Sequence, residues 1–139
     1  MHKPIEYVNL TPKLVKYVDK RAGKLFDEQA ERLGLHRPNG RYLKYLVLQF
    51  AASYSHEGQE AMLESVQGVL AADQRKVEVS KPKMLQGLDK VTKALFAGYS
   101  TFMDVEQAEF LKYLVLQHKI HEDAMNFDEL KAIVYSYVE

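Results

Sequence analysis

No cysteine occurs among the 139 residues, which excludes disulfides, a thiol nucleophile and thiolate metal sites. Tryptophan is absent too, and no apolar run approaches the roughly twenty residues of a membrane span. The opening Met1-His2-Lys3-Pro4 lacks the apolar core of a secretory signal, so a reducing, cytoplasmic location without membrane contact is the expectation. Glycine is sparse, and Gly34 and Gly40 read as turn residues, not as a phosphate-cradling loop. There is no GxSxG turn and no motif that sets a base beside a nucleophile. Neither enzymatic activity nor a cofactor is expected.

An excess of one charge is missing as well, since nineteen basic residues face nineteen acidic ones. The balance hides a pattern: +5 over residues 1–50, −3 over 51–70, +3 over 71–100 and −5 over 101–139. Each half runs from basic to acidic, which reads first as solvated helix faces whose opposite ends attract.

What the chain does contain is a repeat. Leu43-Lys44-Tyr45-Leu46-Val47-Leu48-Gln49 recurs letter for letter as Leu111-Lys112-Tyr113-Leu114-Val115-Leu116-Gln117. Pro12-Lys13, Asp19-Lys20 and Leu25-Phe26 recur seventy residues on as Pro82-Lys83, Asp89-Lys90 and Leu95-Phe96. The offset falls to sixty-eight by the heptapeptide, so the second copy has lost two residues in a connection, where loops tolerate deletion. The expectation is an all-α fold, a tandem duplication of a three-helix unit with six main helices and pseudo-twofold symmetry. One domain, residues 1–139, would hold repeats at about 11–72 and 81–139 joined by a connector at 73–80.

Within the first repeat, Ile5 to Leu10 alternates like a short extended segment, and Thr11-Pro12 reads as a cap and first helical position. The helix expected to follow carries Leu14, Val18, Ala22, Leu25 and Leu33 in one stripe, interrupted only by Gln29, with Lys13, Lys16, Lys20 and Lys24 on another face. Gly34 suits a left-handed terminator. A second helix, Gly40 to Tyr54, is apolar nearly all round and should be buried. A third places Met62, Leu63, Val66, Val69 and Leu70 inward. In the second copy, helices are expected from about Asp104 to His121 and from a cap at Asn126, the last burying Phe127, Leu130, Ile133, Val134, Tyr137 and Val138. The two most apolar helices should meet, so that the heptapeptide faces itself as across an isologous interface.

His118 and His121, three apart and next to Glu122 and Asp123, are the one cluster of potential metal ligands. Their spacing is not HExxH, and helix ends carry such residues for solvation, so no metal is assigned. Two functional classes remain. Lys13, Lys16, Lys20, Lys24, Lys83 and Lys90 could form basic ridges on the first helix of each repeat and bind nucleic acid. Short strands at Glu6–Asn9 and Val77–Ser80 could even pair as in ribbon-helix-helix DNA binders. Glu6 and Glu78, the length of the first helices and the zero net charge argue against that arrangement. The preferred expectation is a helical protein-interaction module (adaptor, inhibitor or regulator) using those lysines with Tyr17 and Tyr54, since tyrosine joins apolar area to a polar tip.

Overall fold

The computed structural model describes residues 10–73 and 78–138. Its elements run β1 (Thr11–Val15), α1 (Lys20–Arg32), α2 (Gly40–Glu57), α3 (Gln59–Ala72), β2 (Lys83–Leu88), α4 (Lys90–Phe102), α5 (Gln107–Asp123) and α6 (Phe127–Val138). The chain is mostly helical, and the order strand, helix, helix, helix occurs in each half. The two strands pair antiparallel, with Leu14 opposite Met84, Val15 opposite Lys83 and Lys13 opposite Leu85. An irregularity between Thr11 and Lys13 shifts the register to Thr11 opposite Leu88.

This ribbon corrects the expected helix from Thr11-Pro12. Leu14 and Val18 fit a helical stripe, but Leu14 is an exposed strand residue and Val18 is buried in the link before α1. The helix begins only after Asp19, whose Oδ1 accepts from the Arg21 amide at 3.1 Å. Asp89 does the same for α4, taking the Thr92 amide at 2.7 Å and the Thr92 hydroxyl at 2.9 Å. The extended segment read at Ile5 to Leu10 lies, except for Leu10, outside the described residues. Of the one read at Val77–Ser80, Val79 makes a single bridge to Asp19.

Helix α1 ends as anticipated at Gly34, where φ is 73° and two bonds close the last turn: Gly34 N–H to Glu31 C=O at 3.0 Å and Leu35 N–H to Ala30 C=O at 2.7 Å. Helix α4 ends identically, with Asp104 at φ 55°, Asp104 N–H to Thr101 C=O and Val105 N–H to Ser100 C=O, both at 3.1 Å. Asp104 is therefore the terminator of α4 and not the cap of α5, which starts at Gln107. Asn126 does cap α6, its Oδ1 accepting from Asp128 N–H at 2.9 Å.

Helices α2 and α5 carry the centre of the core. Tyr42, Leu43, Tyr45, Leu46, Val47 and Phe50 are buried on α2, and Phe110, Leu111, Tyr113, Leu114 and Val115 on α5. Phe50 meets Phe110 edge-on at 5.0 Å and Tyr113 at 6.0 Å. Met62 and Val66 of α3, and Leu130 and Val134 of α6, join the same continuous cluster. Phe127 and Ile133, expected inside, are instead exposed by 40% and 41%; Phe127 lies under the Arg32 guanidinium at 5.5 Å.

Candidate nucleic-acid interface

Alternation gives the ribbon two faces. Val15, Leu85 and Leu88 point into the core and are at most 2% exposed. Leu14 and Met84, opposite each other in register, are exposed by 45% and 43%. Pro12, Lys16, Pro82 and Gln86 are exposed as well. A pair of unbranched or γ-branched apolar side chains at the middle of a solvent-facing ribbon leaves apolar surface open to a partner.

Strong tethers hold the ribbon in place. Lys13 reaches over the Phe96 ring of α4 at 6.0 Å, and Lys83 over the Phe26 ring of α1 at 5.0 Å, so each strand is seated on the helix that follows the other. Lys83 also bonds Asp27 at 2.5 Å, and Lys93 bonds the Thr11 hydroxyl. On the outer edge of β2, Asn39 donates to the Met84 carbonyl at 3.1 Å and accepts from the Gln86 amide at 2.7 Å. Gly87 is held at φ 69°, and a Cβ there would lie 2.6 Å from the Pro38 ring. Seventy residues earlier, Tyr17 adopts φ 65° with 76% of its surface exposed. A bulky residue in the left-handed region is uncommon, and both strands therefore share one bend beside the ribbon.

The charge around this end of the molecule leans basic, with Lys20 paired to Glu78 at 3.4 Å and Lys24 to Glu28 at 4.0 Å. Residues 10–24 hold five basic residues and one acidic, and residues 78–93 hold four and two. Two of those three carboxylates are turned toward the helices: Asp19 toward Lys112 at 3.0 Å and Asp89 toward Lys44 at 3.7 Å. Burial would raise the Asp89 carboxyl, but the Thr92 bonds and the Lys44 ammonium outweigh it and hold the group below its usual range. A shallow cleft beside β2 is lined by Lys20, Lys24, Lys81, Lys83 and Met84. Such a cleft, with Asp27 its one carboxylate and already bonded to Lys83, suits a phosphate.

The residues proposed from sequence are distributed differently from the expected helical ridges. Lys13 and Lys83 are strand residues turned toward the rings below, Lys16 follows β1, and only Lys20, Lys24 and Lys90 lie on first helices. Tyr17 stands beside the ribbon. Tyr54 belongs to another surface, where it packs on Tyr99 at 5.3 Å and lines a cleft with Lys90, Val91, Leu95 and Phe102. Leu14, Met84, Gln86 and Lys81 were not singled out as contact residues. The exposure of Leu14, Met84 and Gln86 follows from the strand pairing and not from a local alternation of polar and apolar residues.

His118 and His121 part company. His121 is exposed and bonds Gln117 at 3.4 Å, whereas His118 is 1% exposed with Nδ1 2.6 Å from the Tyr42 hydroxyl and 3.5 Å from Gln29 Nε2. Gln29, the break in the apolar stripe of α1, is thus explained by a buried polar contact. Burial pushes the His118 imidazole down to about 4, and His121, Arg32 and Lys119 act in the same direction. Among the described residues His118 Nε2 and Glu122 Oε2 lack a hydrogen-bond partner, although Glu122 is paired through its other oxygen to Arg32. Among the described residues no three His, Asp or Glu side chains gather as metal ligands, and no helix is long and apolar enough to cross a membrane. No family model, curated protein or solved structure matches this chain.

Proposed function

We propose that the protein binds double-stranded DNA by laying the β1–β2 ribbon into the major groove, with flanking lysines on the phosphates. The observation that carries this reading is the exposed Leu14–Met84 pair on a ribbon that bears no carboxylate and is surrounded by Lys16, Lys20, Lys24 and Lys81. A major groove about 12 Å wide admits a two-stranded ribbon, while the deep, narrow groove of A-form RNA does not. With the strands at Thr11–Val15 and Lys83–Leu88, Glu78 lies beyond the ribbon's end, where it pairs with Lys20 at 3.4 Å, and the first helices shrink to 13 residues each. Zero net charge matters less than its separation, because the attraction to phosphate is local within a Debye length.

In the same reading the two halves are copies of one strand-and-three-helix unit within a single domain, related by a pseudo-twofold axis between Leu14 and Met84. Support comes from features seventy residues apart: Asp19 and Asp89 as caps, Tyr17 and Gly87 at positive φ, Gly34 and Asp104 ending helices. The exchanged contacts Lys13 to Phe96 and Lys83 to Phe26 fit the same relation.

The test is duplex binding across a salt series. Affinity should fall steeply with salt, and replacing Lys16, Lys20, Lys24 and Lys81 by alanine should lower both the affinity and the salt slope. Salt-insensitive or absent duplex binding refutes the proposal.

A protein-interaction role is the second reading, favoured by one observation: Val91 and Phe102 on α4 are exposed by 65% and 62%, beside Tyr54 and Tyr99. It requires a partner lost on Val91→Lys or Phe102→Asp with the ribbon intact.

A further inference from the structure

We infer that one chain reads a non-palindromic DNA site, with the end of the ribbon at Gln86 selecting an A·T pair and the end at Lys16 selecting a G·C pair. This rests on the ribbon reading above.

Leu14 and Met84 face each other at the middle of the exposed face. From that centre, Gln86 lies two residues along β2 and Lys16 two residues beyond Leu14, immediately after β1. Because the strands are antiparallel, the same step along each leads to opposite ends of the ribbon. Each follows an inward residue, Val15 or Leu85, and precedes a position of positive φ, Tyr17 or Gly87, and both are exposed. Their separation of seventy residues is the offset that relates Asp19 to Asp89 and Tyr17 to Gly87. A ribbon made of two identical chains would present one residue type at both ends and demand an inverted repeat, since operator symmetry mirrors protein symmetry. Here both strands belong to one chain, and duplication has left the two ends unlike.

The chemistry of the two ends differs in kind. Glutamine offers a carbonyl and an amide that match adenine N6 and N7, and it has no charge to gain from guanine. Lysine donates only, which suits the paired acceptors O6 and N7 of guanine and meets the amino donor of adenine badly. Between them, the Leu14 and Met84 side chains have no hydrogen-bonding capacity to offer and suit thymine methyl groups. The surroundings reinforce the asymmetry. The Lys16 end is flanked by Lys20, Lys24 and Lys81, whereas the Gln86 end is braced by Asn39 and Pro38 against the ribbon edge.

The experiment is selection of duplexes from a random library by the full chain, repeated with Lys16→Gln and with Gln86→Lys. The parent should enrich a site with no internal twofold, A·T-specified at one end and G·C-specified at the other. Exchanging the two base types at either end should weaken binding by about tenfold to a hundredfold. Lys16→Gln should turn the enriched site into an inverted repeat with A·T at both ends, and Gln86→Lys into one with G·C at both. Both positions are exposed, so thermal melting should match the parent. An inverted repeat for the parent, or a consensus untouched by Lys16→Gln, overturns the inference while leaving the ribbon as the binding surface. No enrichment, together with no salt-dependent duplex retention, overturns the ribbon reading itself and the inference with it.

Discussion

The ammonium of Lys112 lies 3.0 Å from the carboxylate of Asp19, the residue that caps α1 in the other half of the chain. Lys44, its counterpart in the duplicated heptapeptide, lies 3.7 Å from Asp89, which caps α4. Each heptapeptide lysine therefore pins the first helix of the opposite half, next to the ribbon. This exchange gives the lysine in an otherwise apolar stretch a structural reason to be there.

The two pairs should differ in weight. Lys112 also lies 2.7 Å from Asp73, and the three side chains are 8–10% exposed. Burial would lower the Lys112 ammonium, but Asp73 and Asp19 hold it above its usual value. Lys112→Ala removes the cation that lies between two largely buried carboxylates and should cost about 3 kcal/mol, whereas Lys44→Ala, in a longer and more exposed pair, should cost at most about 1 kcal/mol. Urea denaturation of both variants at pH 7 measures the difference. Since the Lys112 value is raised in the folded state, its contribution is fully present below the ordinary lysine value and is lost as pH rises through the folded one.

Acid should expose the buried histidine. The folded His118 titrates at about 4, below the 6.5 of an unfolded histidine, because its charged form is disfavoured inside. Between those values the unfolded chain holds the proton and the folded chain does not, so stability falls as pH drops from 6.5 to 4, by about 3 kcal/mol from this group. Below pH 4 both states are protonated and the contribution is constant. Denaturation midpoints of the parent and of His118→Phe across this window should converge as pH falls. Parallel curves would show that His118 is not the titrating group.

Leu46 and Leu114, at matching heptapeptide positions on α2 and α5, are 1% and 4% exposed. Alanine at either should destabilise by about 2–5 kcal/mol through lost apolar contact and the cavity left behind. Melting curves that coincide with the parent would exclude a central role for that helix.

Tyr17 should trade stability against binding. Its left-handed backbone costs a non-glycine residue about 1 kcal/mol, and its largely exposed ring has little packing to lose. Tyr17→Gly is expected to raise stability by up to about 1 kcal/mol and to weaken duplex DNA binding, since the ring stands beside the ribbon. A variant that binds as tightly as the parent would remove Tyr17 from the interface.

The sequence by itself determined the elements whose signals are local. The apolar stretches of α2 and α5, the Gly34 stop, the Asn126 cap and the duplicated heptapeptide are written in periodicity, capping chemistry and identity, which act over a few residues. Only the tertiary structure decided the ribbon. A two-residue step and a four-residue step both fit Leu14 and Val18, and what makes Thr11–Val15 a strand is a partner seventy residues away, whose hydrogen bonds no local pattern records. The candidate site was legible as lysines but not as a surface: Lys16 and Gln86 come to opposite ends of the ribbon, and Leu14 and Met84 become a solvent-facing pair, only once the strands pair. The same holds for Gln29 and His118. Gln29 reads in sequence as a break in an apolar stripe and His118 as a potential metal ligand, and each has its reason in a polar contact that forms when α1, α2 and α5 pack together.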